Sequence, residues 1–127
     1  MLEIIHTKNA PEPIGPYSQV IKAGDFIFPA GQIGVDAVSG KLVGESITEQ
    51  TEQAFKNLSA VLEAAGSSLQ HVVKTTCYLS TMENFQAFNE AYGKQFNGHK
   101  PARTCFAVQE LPLKGLCEIE VVAVLKK

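Results

Sequence analysis

Apolar residues recur along this chain with two periods, about 2 and about 3.6, and the switches between them mark its elements. "QVIKAGDFIF", residues 19–28, reads as two short strands around a Gly24-Asp25 turn, and "DAVSGK", residues 36–41, as a second turn. "SITEQTEQAFKNLSAVLEAAG", residues 46–66, sets Phe55, Leu58, Val61, Leu62 and Ala65 on one helical face. Ser46 and Glu49 stand at capping-box spacing before it and Gly66 ends it. "HVVKTTCYLS" is β-branched and strand-like. "STMENFQAFNEAYGKQFNG" opens a second helix with Ser80 and Glu83 and closes it at Gly98. "RTCFAV" and "CEIEVVAVL" supply the last two strands.

The order ββ-α-β-α-ββ, without linker, repeat or low-complexity tract, predicts an α+β fold: one domain over residues 1–127, with a mixed β-sheet and two helices packed on one face. Two helices cover only one side of such a sheet. The last strand is apolar on both sides apart from its glutamates, so the uncovered face calls for a partner chain.

Alternation in that strand puts Leu116, Glu118, Glu120, Val122 and Val124 on one face, with Cys117, Ile119, Val121, Ala123 and Leu125 on the other. Same-face residues two apart lie about 7 Å from each other. Two carboxylates so placed repel, and one of them loses acidity unless a cation intervenes, which would make it a usable base. Arg103, at the mouth of a run that reads as buried strand, either pairs with one of these glutamates or awaits an anion from outside the chain. On the second helix Phe85, Phe88, Tyr92 and Phe96 form a core-facing stripe. Asn89 lies at its edge, where a half-buried amide takes either a structural hydrogen bond or a ligand contact.

Charge and composition narrow the field. With 11 basic and 13 acidic residues and no basic block, the chain has no nucleic-acid footprint, and a small neutral or anionic partner is expected instead. "MLEIIHTKNAPEP" has neither the look of a signal peptide nor that of a membrane anchor, so a cytoplasmic location is expected. Cys77, Cys105 and Cys117 sit singly in apolar runs, as reduced thiols do. His6, His71 and His99 are scattered, and no metal site is expected.

Six stretches, "APEPIGPYSQ", "AGQIG", "VVKTTCYL", "FQAFNEAYGKQF", "PARTCFAV" and "CEIEVVAV", together resemble the RidA family, the YjgF-like reactive imine deaminases, from about residue 3 to residue 126. The resemblance implies a homotrimer with a fold similar to trimeric bacterial chorismate mutase and pockets between subunits. It implies hydrolysis of enamines and imines, such as 2-aminoacrylate or 2-iminobutyrate, to 2-keto acids and ammonia without a cofactor. By the same resemblance Arg103 grips the substrate carboxylate, Glu118 positions and activates water, and Glu120 supports it. The main chain of Cys105 lines the pocket, while Tyr17 and Asn89 offer a hydroxyl and an amide. Gly31 lets its backbone approach the ligand, and Gly15 and Pro16 shape the loop carrying Tyr17.

One position departs from the pattern: Ala30 stands where these deaminases commonly carry serine, after Pro29, which predicts an edge or a bulge at that point. A lost neutral hydrogen bond of about 0.5 to 1.5 kcal/mol would slow such an enzyme roughly two- to twelve-fold. Three kinds of function follow: an imine deaminase, a non-catalytic trimeric binding protein for small 2-keto or 2-imino carboxylates, and the RNA cleavage attributed to some relatives. The net charge of −2 argues against the third.

Overall fold

The alternation of one strand, β7 (Cys117–Val124), organises the computed structural model, which describes residues 1–127. It lies mid-sheet in the order β1 (Leu2–Ile5), β2 (Val20–Ala23), β3 (Phe26–Pro29), β7, β5 (Val72–Leu79), β6 (Ala102–Ala107), with β4 (Gln32–Ile33) also paired to β7. Pairing is antiparallel except between β5 and β6, whose parallel register requires a crossover. Helix α2 (Phe85–Phe96) provides it. The sheet is therefore mixed, as the sequence predicts.

Cys117, Ile119, Val121 and Ala123 are buried under α1 (Ile47–Ala64) and α2, against Phe55, Leu58, Val61, Leu62, Phe88 and Phe96. Each large apolar side chain so buried contributes about 1.5 to 3 kcal/mol. Helix α1 begins as expected: Ser46 Oγ accepts from the Glu49 N–H at 3.1 Å and donates to Glu49 Oε1 at 2.9 Å. Gly66 then takes φ +86°, a left-handed turn that a side chain would strain.

Four expectations need correction. The second helical segment is capped by Thr81, not Ser80: its hydroxyl accepts from Glu83 N–H over a 3₁₀ turn, Met82–Asn84, and α2 proper starts at Phe85. An unforeseen strand, β1, pairs with β2 along the sheet edge. The chain after β3 breaks and re-pairs as β4, so the opening contributes four strands and not two. Finally, β6 is no buried strand but the other sheet edge, with Phe106 44% exposed.

The face opposite the helices is uncovered. By register Leu2, Ile4, Phe26, Phe28 and Phe106 share it with Glu118, Glu120 and Tyr78, and the five apolar residues are 44–71% exposed. No helix is long and apolar enough to cross a membrane.

Candidate active site in two halves

Pro29 ends β3, and the chain kinks through Ala30 and Gly31 before pairing again at Gln32. Proline offers no N–H to continue the ladder. Ala30 N–H turns instead to the Gln19 carbonyl at 2.8 Å. This kink forms one wall of a groove of about 560 Å³ whose lining includes Tyr17, Ala30, Gly31, Ile33, Leu113 and Glu118. Tyr17 stands at the mouth on a tight turn, its N–H bonded to the Gly15 carbonyl at 2.9 Å. Its hydroxyl accepts from Ile14 N–H at 3.3 Å, which leaves its own proton free to donate.

Glu118 is the groove's chemical group. Burial, and then the like charge of Glu120, push its carboxyl above the usual range, as the strand alternation leads one to expect. No cation answers it: the chain's ion pairs all lie elsewhere. Glu120 takes a hydrogen bond from the Tyr78 hydroxyl, whose pKa that bond, with burial and the nearby carboxylates, lifts to about 12.

The second half lies across the sheet. Arg103 pairs in register with Thr75, on the helix-covered side of β6, and its guanidinium carbon sits 4.7 Å from the Tyr92 ring centre and 5.6 Å from that of Phe85. Such cation–π contacts hold the charge without neutralising it. Arg103 makes no salt bridge. The ion pair with Glu118 or Glu120 that the sequence allows is absent because the residues point to opposite faces of the sheet. On the same helix, Oδ1 of Asn89 is the one buried side-chain polar atom without a hydrogen-bond partner. Such an orphan costs about 1 to 3 kcal/mol and calls for a hydrogen-bond donor from outside the subunit.

The thiols are poor nucleophiles. Burial raises all three, Cys77 to about 12 and Cys117 to about 11, and Cys105 is half-buried on β6 beside Arg103. No three His, Cys, Asp or Glu side chains converge as metal ligands. A second groove, of about 680 Å³ over α1 near Lys56 and Glu63, contains none of the candidate site residues.

Residues 7–125 match the model of the family described as Endoribonuclease L-PSP. The chain belongs to this family, the RidA or YjgF-like family. A RutC family protein of Pyrococcus horikoshii is 51% identical over 97% of this chain and 98% of its own length. The 2-iminobutanoate/2-iminopropanoate deaminase of Mus musculus is 43% identical over 96% and 90%. The crystal structure of E. coli TdcF with bound serine superposes with a TM-score of 0.93 at 34% identity, over 98% of this chain and 99% of that one.

Within this RidA-family chain, Tyr17, Ala30, Gly31 and Glu118 converge in the groove, while Arg103, Cys105 and Asn89 gather at the far edge. Gly31 has a reason beyond the one its resemblance implies: the space a Cβ would fill is taken by the Glu118 carboxylate. Sequence reasoning missed Tyr78, and it read Phe85 and Tyr92 only as core. Helical spacing from Asn89 was the available signal for the latter two, because it puts all three on one face.

Proposed function

We propose that the protein is a cofactor-independent deaminase of small 2-imino acids and their enamine tautomers, with its active site completed between copies in a homotrimer. The observation that carries this reading is the separation itself. One edge of the subunit holds an unneutralised guanidinium and an unpartnered amide oxygen. The opposite face holds a carboxylate of raised pKa, and the uncovered apolar face would bring a second copy's edge to it. The bound serine in the structure of TdcF, a small molecule with a carboxylate beside an amine, supports the same ligand class.

In this mechanism the Arg103 fork binds both oxygens of the substrate carboxylate, and Asn89 and the Cys105 main chain fix its orientation. Glu118 takes a proton from water as the oxygen attacks C2 of the imine; the C=N electrons pass to nitrogen, which receives that same proton from Glu118 and so restores the carboxylate. The Tyr17 hydroxyl donates toward the developing polar group. The carbinolamine then collapses, its hydroxyl proton passing by way of Glu118 to nitrogen, and the C–N bond breaks. Imine and water give 2-keto acid and ammonia, with no change of oxidation state overall. Glu120 maintains the raised pKa of Glu118. An enamine enters the same route after protonation at its β-carbon.

Ala30 favours a second reading, a binding protein that clamps 2-keto or 2-imino carboxylates without turnover, because the hydroxyl common among these deaminases is missing. The name Endoribonuclease suggests RNA, but a net charge of −2 with no basic stripe argues against an RNA-binding surface. Imines released in situ by an amino-acid oxidase or dehydratase separate the first two readings. A deaminase shortens their lifetime and releases ammonia catalytically, whereas a clamp at most binds them in proportion to protein. Sedimentation at micromolar concentration should give a trimer mass, and a monomer mass would remove the composite site.

A further inference from the structure

On the open face β5 sets one tyrosine against both carboxylates of β7. Tyr78 is the register partner of Glu118, and Thr76 that of Glu120, so the Tyr78 hydroxyl reaches along the strand to donate to Glu120 and not to its direct neighbour. The ring is braced edge-on against Phe106, centroids 5.5 Å apart at 79°. Glu118 instead leans away, against Gly31. Two carboxylates on one strand are thus held apart by different partners.

We propose that Tyr78 is a positioning residue which, by donating to Glu120, fixes that carboxylate beside Glu118 and so tunes Glu118 for its task. The proposal rests on the reading of Glu118 as the base. A like charge held close disfavours ionisation of its neighbour, and the effect falls as the two move apart. Held by the phenol, the Glu120 carboxylate stays beside Glu118 instead of swinging out over the open face. Two cations face the pair and are left unaltered by the substitutions below: Lys74, on the same face of β5, which donates to Thr104 Oγ1 at 3.2 Å, and, in the composite site proposed above, Arg103 of the neighbouring copy. From β6 only Thr104 and Phe106 face the pair, while Glu12 and Tyr17 lie on the groove rim. The high phenol pKa of Tyr78 is the reciprocal sign of a proton held toward a carboxylate.

The test follows the ¹³C carboxyl signal of Glu118 against pH in the assembled protein, with the signal assigned by its loss in Glu118→Gln. Glu120→Gln removes the like charge, so Glu118 should titrate at lower pH. Tyr78→Phe frees the Glu120 carboxylate to move away, so the Glu118 curve should move the same way by less. In the double variant, Tyr78→Phe should add nothing to Glu120→Gln. An unchanged Glu118 curve in Tyr78→Phe, or an equal shift with Glu120 already replaced, would overturn the proposal. Should Tyr78→Phe fail to assemble, Tyr78→Leu is measured in its place, and an unchanged Glu118 curve there overturns the proposal in the same way. Turnover of Glu118→Gln is measured in parallel. Full activity in that variant would sink the base itself, an outcome distinct from a silent tyrosine.

Discussion

A Cβ built on Gly31 lies 2.9 Å from Oε2 and 3.2 Å from Cδ of Glu118, so the main chain of the kink is the surface on which this carboxylate rests. The atoms in the way belong to the free end of a side chain, not to backbone. Gly31→Ala should therefore fold, with a melting temperature within a few degrees of wild type, while Glu118 is displaced. Misplacement of a reacting group by about 1 Å can cost on the order of 10²-fold. The variant should lose roughly 10- to 100-fold in kcat, and unchanged kinetics would show that Glu118 does not depend on this seat.

Glu118→Gln should split stability from activity. The folded protein binds the Glu118 proton more tightly than the unfolded chain does, because burial and Glu120 raise its pKa above 4.5. The resulting stabilisation is complete below the ordinary value and is lost as pH rises through the raised one. At pH 7 the ionised group is a burden, so Glu118→Gln should raise the melting temperature at pH 7 and leave it near wild type at pH 4. Over the same series kcat should fall by about 10² to 10⁴, the range for general acid–base catalysis. A loss of stability at pH 7 would mean that the carboxylate serves the fold.

Much of this arrangement was legible in the sequence, and one part was systematically hidden. The alternation of β7 assigns Cys117, Ile119, Val121 and Ala123 to the core, and the helical spacing of Phe55 through Leu62 gives α1, while Pro29 signalled an irregularity but not the strand β4 that follows it. Neither β1 nor the true cap at Thr81 was apparent. A four-residue edge strand owes its existence to β2 rather than to its own pattern, and adjacent Ser80 and Thr81 offer equivalent hydroxyls. Alternation tells which residues of one strand share a face, but not how the faces of separate strands correspond. That depends on β5 lying between β6 and β7, a long-range pairing, and it is why Arg103 reads from sequence as a partner for Glu118 yet lies across the sheet from it.

Arg103→Ala should be a binding variant and not a folding one. Inside the subunit the guanidinium has only the rings of Phe85 and Tyr92, contacts worth about 0.5 to 1 kcal/mol where exposed. Its removal should shift the melting temperature by a few degrees at most. Product 2-keto acid affinity should drop by about 2 to 5 kcal/mol, the usual cost of deleting one partner of a desolvated charge pair, and kcat/KM should fall with it. Calorimetric titration with pyruvate is the check. Undiminished affinity would dismiss the carboxylate clamp.

Ala30→Ser restores a hydroxyl to the kink. Within the limits of one neutral hydrogen bond, about two- to twelve-fold, it should raise imine hydrolysis or reorder the preferred imino acids. Competing two imines in one reaction measures the ranking directly, and identical rates and ranking in both forms would make the position silent.

Arg103→Ala and Glu118→Gln, assembled together, give the most direct measurement, because each lesion lies in a different half of the proposed site. Neither variant alone should turn over imine above a small residue. If every site takes Arg103 from one copy and Glu118 from another, random mixed assemblies restore an intact pair at roughly a quarter of the sites. Co-refolded protein, its mixed composition verified by native mass spectrometry, should then recover about that fraction of wild-type activity. Mixed assemblies no more active than their parents would show that the two halves never meet.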